Sequence, residues 1–178
     1  MILFLIVVTL RPQFASVIHT ARTGLKYMDD EKGGHLFVMS SVNSSIPVPG
    51  FGPYCMSKAG CDALTRCLQA ETPDNIQIYS LNPYLIQSEM TQRLCDTFNV
   101  PDVAAWAAGT NPSGKVGTGA DLGAVIINTV SGKYKADFPP GSSLLTDGHV
   151  LFHAREAVPL ENMKGTPEFE ERIKKASI

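Results

Sequence analysis

Two short apolar runs, His35 to Ser40 (HLFVMS) and Ile76 to Leu81 (IQIYSL), constrain this chain most. Gly33-Gly34 precedes the first run, Asn82-Pro83 closes the second, and helical patterning fills the stretch between them. Runs of this length between turn signals fit strands buried on both faces of a parallel sheet. Strands that alternate with helices specify an α/β domain with right-handed crossovers.

The helices read from spacing. Phe14, Val17, Ile18, Ala21, Leu25 and Met28 recur at three- and four-residue steps, so Pro12 to about Asp29 is expected as an amphipathic helix with proline near its start. A second helix runs from Pro53 to about Glu71 and stops at Thr72-Pro73. The segment from Tyr84 to Asn111 is too long for a simple connection, and it carries helical patterns around Glu89 to Phe98 and Asp102 to Ala108. Such an excursion commonly covers a site. A helix from about Ala120 to Val130 and a short strand at Ser143 to Thr146 follow. Residues 1–155 are expected as one domain and 156–178 as a charged tail, with Thr166-Pro167-Glu168 starting a short helix.

The first ten residues, MILFLIVVTL, fit either a buried strand or the first turns of a long helix; their Ile and Val favour the strand. Ten apolar residues fall short of the roughly 20 that span a bilayer. Without a basic flank or a small-residue cleavage site they also do not make a secretory leader. A cytoplasmic protein with reduced thiols is expected.

Other functions are excluded by composition. A net charge of −2 gives no reason to expect nucleic acid or an anionic membrane as partner. Cys55, Cys61, Cys67 and Cys95 lack metal or redox spacing, and the four histidines share no ligand pattern, so no metal is expected. The cluster from Gly114 to Gly119 follows no strand and reads as a loop rather than a phosphate cradle.

Chemistry concentrates between Ser41 and Lys58. Tyr54 and Lys58 stand four residues apart in the second helix, so phenol and ammonium share one face, and Ser41 lies on the loop that feeds that helix. Ligands of parallel sheets bind beyond the carboxyl ends of the strands, where Ser41 and Pro83 both fall. A phenol that exchanges protons near neutrality must move from a pKa of about 10 to about 7, which takes roughly 4 kcal/mol. An exposed ion pair supplies only about 0.2 to 1 kcal/mol. Such a site has to be closed and partly dry.

At these residues the sequence resembles the short-chain dehydrogenase/reductase family, over its C-terminal two-thirds. The resemblance rests on Gly33-Gly34, Ser40-Ser41, Tyr54-Cys55-Met56-Ser57-Lys58-Ala59, Asn82-Pro83 with Ser88 and Met90, and Asp147-Gly148. It implies an NAD(P)-dependent oxidoreductase acting on a secondary alcohol or ketone. Tyr54 would be the general acid/base, Ser41 would hydrogen-bond the same substrate oxygen, and Lys58 would bind the nicotinamide ribose. Pro83, Ile86 and Ser88 match the segment that meets the nicotinamide carboxamide, with Tyr84 where the family has glycine. Gln13 stands at the position of a fourth catalytic residue, usually asparagine. The family's glycine-rich strand–turn–helix and its Asn-Asn-Ala-Gly segment are not in this sequence. A partial Rossmann-like sheet of about three to four strands, truncated at its N-terminal half, is therefore expected. The resemblance also implies a homo-oligomer paired through the helices at 12–29 and 53–71. A second reading of the same residues is a catalytically silent member that serves as an oligomerising interaction module.

Overall fold

A computed structural model describes the backbone of residues 2–28 and 31–153, with side chains from residue 14. Five helices and four strands run in the order α1 (Ile2–Leu25), β1 (Gly34–Met39), α2 (Gly52–Glu71), β2 (Ile76–Pro83), α3 (Glu89–Phe98), α4 (Val103–Thr110), α5 (Gly119–Val130), β3 (Ser143–Thr146) and β4 (Leu151–His153). A short 3₁₀ turn at Val42–Ser44 lies between β1 and α2.

The four strands form one sheet in the order β1-β2-β3-β4. β1 and β2 are parallel, with His35 opposite Gln77 and Met39 opposite Leu81. β3 joins β2 in parallel and β4 joins β3 antiparallel. The fold class is therefore the expected α/β, a four-stranded open sheet that is mostly parallel. β4 departs from the all-parallel expectation. Three residues after a tight turn cannot make a crossover, so they can only fold back beside β3.

Alternation along β2 divides the core. Tyr79 and Leu81 face one way and pack with Val125 of α5, Phe138, Leu144 and Leu151, and Phe37 stacks on Tyr79 at 5.4 Å. Ile78, Ser80 and Asn82 face the opposite way, toward α2, and all three are fully buried. Gln69 of α2 reaches β2 there, donating to Ile76 O and accepting from Ile78 N. β1 is less enclosed than a strand buried on both faces, because it is the sheet edge: only Val38 is buried, and Met39 is 48% exposed.

Two sequence expectations need correction. The opening run is helix rather than strand, continuous with the helix expected from Pro12, and α1 ends at Leu25 rather than Asp29. Extending an existing helix costs less than nucleating a new element, and β-propensity yields to such context. At the other end, residues 26–28 leave the helix through turn bonds from Lys26 N to Thr23 O and from Tyr27 N to Gly24 O. The tail at 156–178 and its helix start at Thr166 lie outside the described residues.

α1 and α2 cross closely at Gly60, where a Cβ would overlap the Phe14 ring. That contact holds α1 against the helix that carries Tyr54 and Lys58.

Candidate active site

α2 begins at the carboxyl edge of the sheet. Gly52 and Pro53 occupy its first turn, where the missing proline N–H costs no helical bond. Four residues separate Tyr54 from Lys58, and the ammonium stands 5.7 Å from the centre of the phenol ring. Lys58 Nζ also donates to Met39 O at 3.1 Å, at the end of β1. The neighbouring Ser40 Oγ donates to Lys58 O at 3.0 Å, so this turn of α2 is tied to β1 through both main chain and side chain.

Ser41 is buried at the start of the 3₁₀ turn, and its Oγ accepts from Asn43 N at 3.2 Å. As the acceptor in that bond, the hydroxyl keeps its own proton to donate. Ser41 O accepts from Asn82 Nδ2 at 3.2 Å. The same Asn82 nitrogen lies 2.8 Å from Ser44 Oγ and 3.0 and 2.9 Å from the two oxygens of Asp62. One amide at the end of β2 thus joins the serine loop to α2. Asp62 continues the four-residue step from Tyr54 through Lys58, and it is 5% exposed. Asn82 Oδ1 is buried with no hydrogen-bond partner among the described residues.

Beyond Pro83 the chain is pinned at each step. Tyr84 N donates to Thr146 O. Leu85 exchanges two bonds with the Asn111 side chain, at 3.0 and 2.8 Å, and Asn111 Nδ2 also reaches Lys115 O. Ile86 is buried and bridges Gly117, while Gln87 N donates to Gly117 O at 2.8 Å. Only glycine fits at 117, because a Cβ there would overlap Asp147 O. Asp147 is itself fully buried, accepting from Ser113 Oγ and from the backbone N–H groups of Ser113, His149 and Val150. Ser88 is exposed and caps α3, its hydroxyl accepting from Thr91 N.

Ser41, Tyr54, Lys58 and Pro83 thus gather at one edge of the sheet. Ile86 turns its side chain inward against Gly117 and Ser88 spends its hydroxyl on the α3 cap, so from both positions the main chain is what a ligand would meet. Gln13 lies where side chains are outside the described residues. Burial pushes the Cys61 thiol up, Lys58 pulls it down and Asp62 raises it again, which leaves it a packing group beside the site. Among the described residues no group of three His, Cys, Asp or Glu side chains could hold a metal ion. No helix among them is long and apolar enough to cross a membrane.

In the sequence, Asn82 and Asp147 figure only as motif residues at strand ends, and Asp62 and Asn111 carry no assigned role. The signal for Asp62 was present, since 54, 58 and 62 fall on one helix face. For the two asparagines, only the fold brings their partners together.

The model of the short chain dehydrogenase family matches residues 9–98, half of the chain. The chain belongs to the short-chain dehydrogenase family. It is 29% identical over 128 residues to 3beta-hydroxysteroid dehydrogenase 1 of Eggerthella lenta, covering 71% of this chain and 47% of that protein. It is 37% identical over 68 residues to human dehydrogenase/reductase SDR family member 4, covering 38% and 24%. Among solved structures, a gluconate 5-dehydrogenase from Burkholderia cenocepacia in complex with NADP and tartrate superposes with a TM-score of 0.64 at 23% identity, over 76% of this chain and 52% of that one. At that identity the likeness speaks for a shared Rossmann-type fold. The chain spans about half the length, or less, of the relatives it matches.

Proposed function

We propose that this chain carries the proton-transfer and nicotinamide side of an NAD(P)-dependent oxidoreductase acting on secondary alcohols or ketones. What supports this reading is that Ser41 follows the end of β1 while Lys58, 5.7 Å from the centre of the Tyr54 ring, donates to Met39 O at that same strand end. Tyr54 takes the proton of the substrate hydroxyl in oxidation and returns it to the carbonyl in reduction. Ser41 Oγ donates to the same oxygen, and Asn43 N holds that hydroxyl in orientation.

The donor set fits one part of a dinucleotide. An ammonium with one N–H on Met39 O has two left for the hydroxyls of a ribose, and the main chain from Pro83 to Ser88 offers peptide groups to a carboxamide. Among the described residues no glycine-rich turn between a strand and a helix offers comparable donors to a pyrophosphate. When bound, the nicotinamide supplies hydride transfer. The protein residues orient the substrate and move the proton.

A second reading of the same residues is a catalytically silent member working as an interaction module. Self-association through α1 and α2 is compatible with both readings. A groove of about 450 Å³ runs between these helices, lined by Ile18, Ala21, Leu25, Leu64 and Leu68 among others.

Cofactor titration separates the readings. Thermal stabilisation by NAD(H) or NADP(H), with turnover of a secondary alcohol that Tyr54→Phe abolishes, is expected of the oxidoreductase. No stabilisation at millimolar cofactor overturns it in favour of the silent module.

A further inference from the structure

We infer that the substrate is an apolar cyclic alcohol or ketone, held against a row of aromatic rings that begins at Tyr54. The inference rests on the oxidoreductase reading above and adds the chemical class of its substrate. Tyr54 meets the Phe51 ring edge-on at 6.5 Å between centres. Phe51 meets Phe98 at 6.0 Å, and Phe98 meets Trp106 edge-on at 6.1 Å. The row therefore crosses from α2 to α3 and α4, the two helices of the long excursion after Pro83.

α3 packs through Thr91 and Cys95, and α4 through Val103 and Ala107, all of them at most 5% exposed. Phe98 continues the Thr91–Cys95 face of α3 at its last turn, so the row extends that packed face into the open. Phe98 is 50% exposed, and Phe51, Tyr54 and Trp106 are partly open. Caps at both ends hold the pair of helices in place: Ser88 starts α3, Asn99 ends it in the left-handed region at φ 55°, and Asp102 caps α4.

A continuous, half-open aromatic surface leading to a proton-transfer group favours a ligand with a broad apolar face. Rings offer area and edge-to-face contact but no hydrogen bonds to the hydroxyls of a sugar-like substrate. A polyol docked there would lose water without replacement partners. A carbocycle whose carbonyl reaches Tyr54 would cover Phe51 and Phe98 and approach Trp106.

Trp106 is the single tryptophan of the chain, so its emission reports on the row directly. The full chain is titrated without cofactor, with 1-decalone as the bicyclic ketone and erythrulose as the polyhydroxy ketone. Saturable change with decalone and none with erythrulose is expected. Phe98→Ala should weaken the decalone response about tenfold, the effect of losing one aromatic face. Phe98→Leu, the gentler change should the alanine variant misfold, should weaken it less. No decalone response from folded protein, an equal response to erythrulose, or a row already shielded from acrylamide by a second copy overturns the inference. Decalone binding without turnover when NAD(P)H is added overturns the oxidoreductase reading and leaves this surface standing. Turnover of erythrulose in preference to decalone does the reverse.

Discussion

Asn82 brings two amide hydrogens to four acceptors: Ser41 O, Ser44 Oγ and both oxygens of Asp62. The hydrogens are therefore shared, with the buried carboxylate taking the stronger part because a bond to a charge is worth more than one to a neutral group. Asn82→Ala would leave Asp62 buried without this donor and release the loop that carries Ser41. A loss of about 2 to 3 kcal/mol in urea unfolding is expected, whereas Ser44→Ala should cost under about 1 kcal/mol. Equal, small effects from both would mean that the amide is not the joint. Sequence spacing alone puts Tyr54, Lys58 and Asp62 on one face. It does not reveal what that face meets, because Asn82 lies twenty residues further along and only the β1–α2–β2 crossover brings it back. Phe98 was hidden for the same reason, since it falls into no pattern with Tyr54 along the chain.

At the scale of elements, the crossing of α1 and α2 depends on a missing side chain. Gly60→Ala forces a methyl group into the Phe14 ring, and overpacking of this kind costs about 1 to 3 kcal/mol. Gly52→Ala, in the same helix with nothing within 4 Å, should be neutral or slightly stabilising. Chemical denaturation of the pair isolates the steric term from helix propensity. α5 supplies a pH test. The Thr118 hydroxyl and backbone N–H both donate to the Asp121 carboxylate and hold it below its ordinary value of 3.8, with His149 assisting. A carboxyl group that is more acidic in the folded state stabilises the fold above its unfolded pKa and loses that contribution as pH falls through the folded one. Protection of the amides at the start of α5, relative to their intrinsic exchange, should therefore fall below about pH 4, and Thr118→Ala should remove most of that dependence. A protection profile that stays flat down to the global acid transition would contradict it. The elements that spacing predicted well were those with capping residues or a long periodic face, such as α2, α3 and α5. The opening of α1 and the three-residue β4 were not legible, because an apolar run obeys whichever neighbour extends it and a strand that short carries no period.

Across the whole molecule, the sheet order leaves β1 at an edge. Ser40 N donates to Leu81 O, so by alternation the peptide groups of Met39 point away from β2. An unpaired strand edge favours self-association, and so does the α1–α2 groove, where Arg22, Lys26 and Glu71 stand among the apolar residues. The mass measured by light scattering should therefore rise with concentration, and a constant monomer mass would refute this. The edge is not bare along its length, because Lys58 Nζ occupies Met39 O, the outermost carbonyl of the strand. A charged side chain laid over a strand edge guards against sticking. The ammonium assigned to ribose binding thus doubles as a gatekeeper, and Lys58→Ala would carry two lesions in one substitution. A kinetic assay would score its precipitation as lost chemistry. Lys58→Arg keeps a cation over the carbonyl, so comparing the two variants in the soluble fraction separates a colloidal defect from a catalytic one.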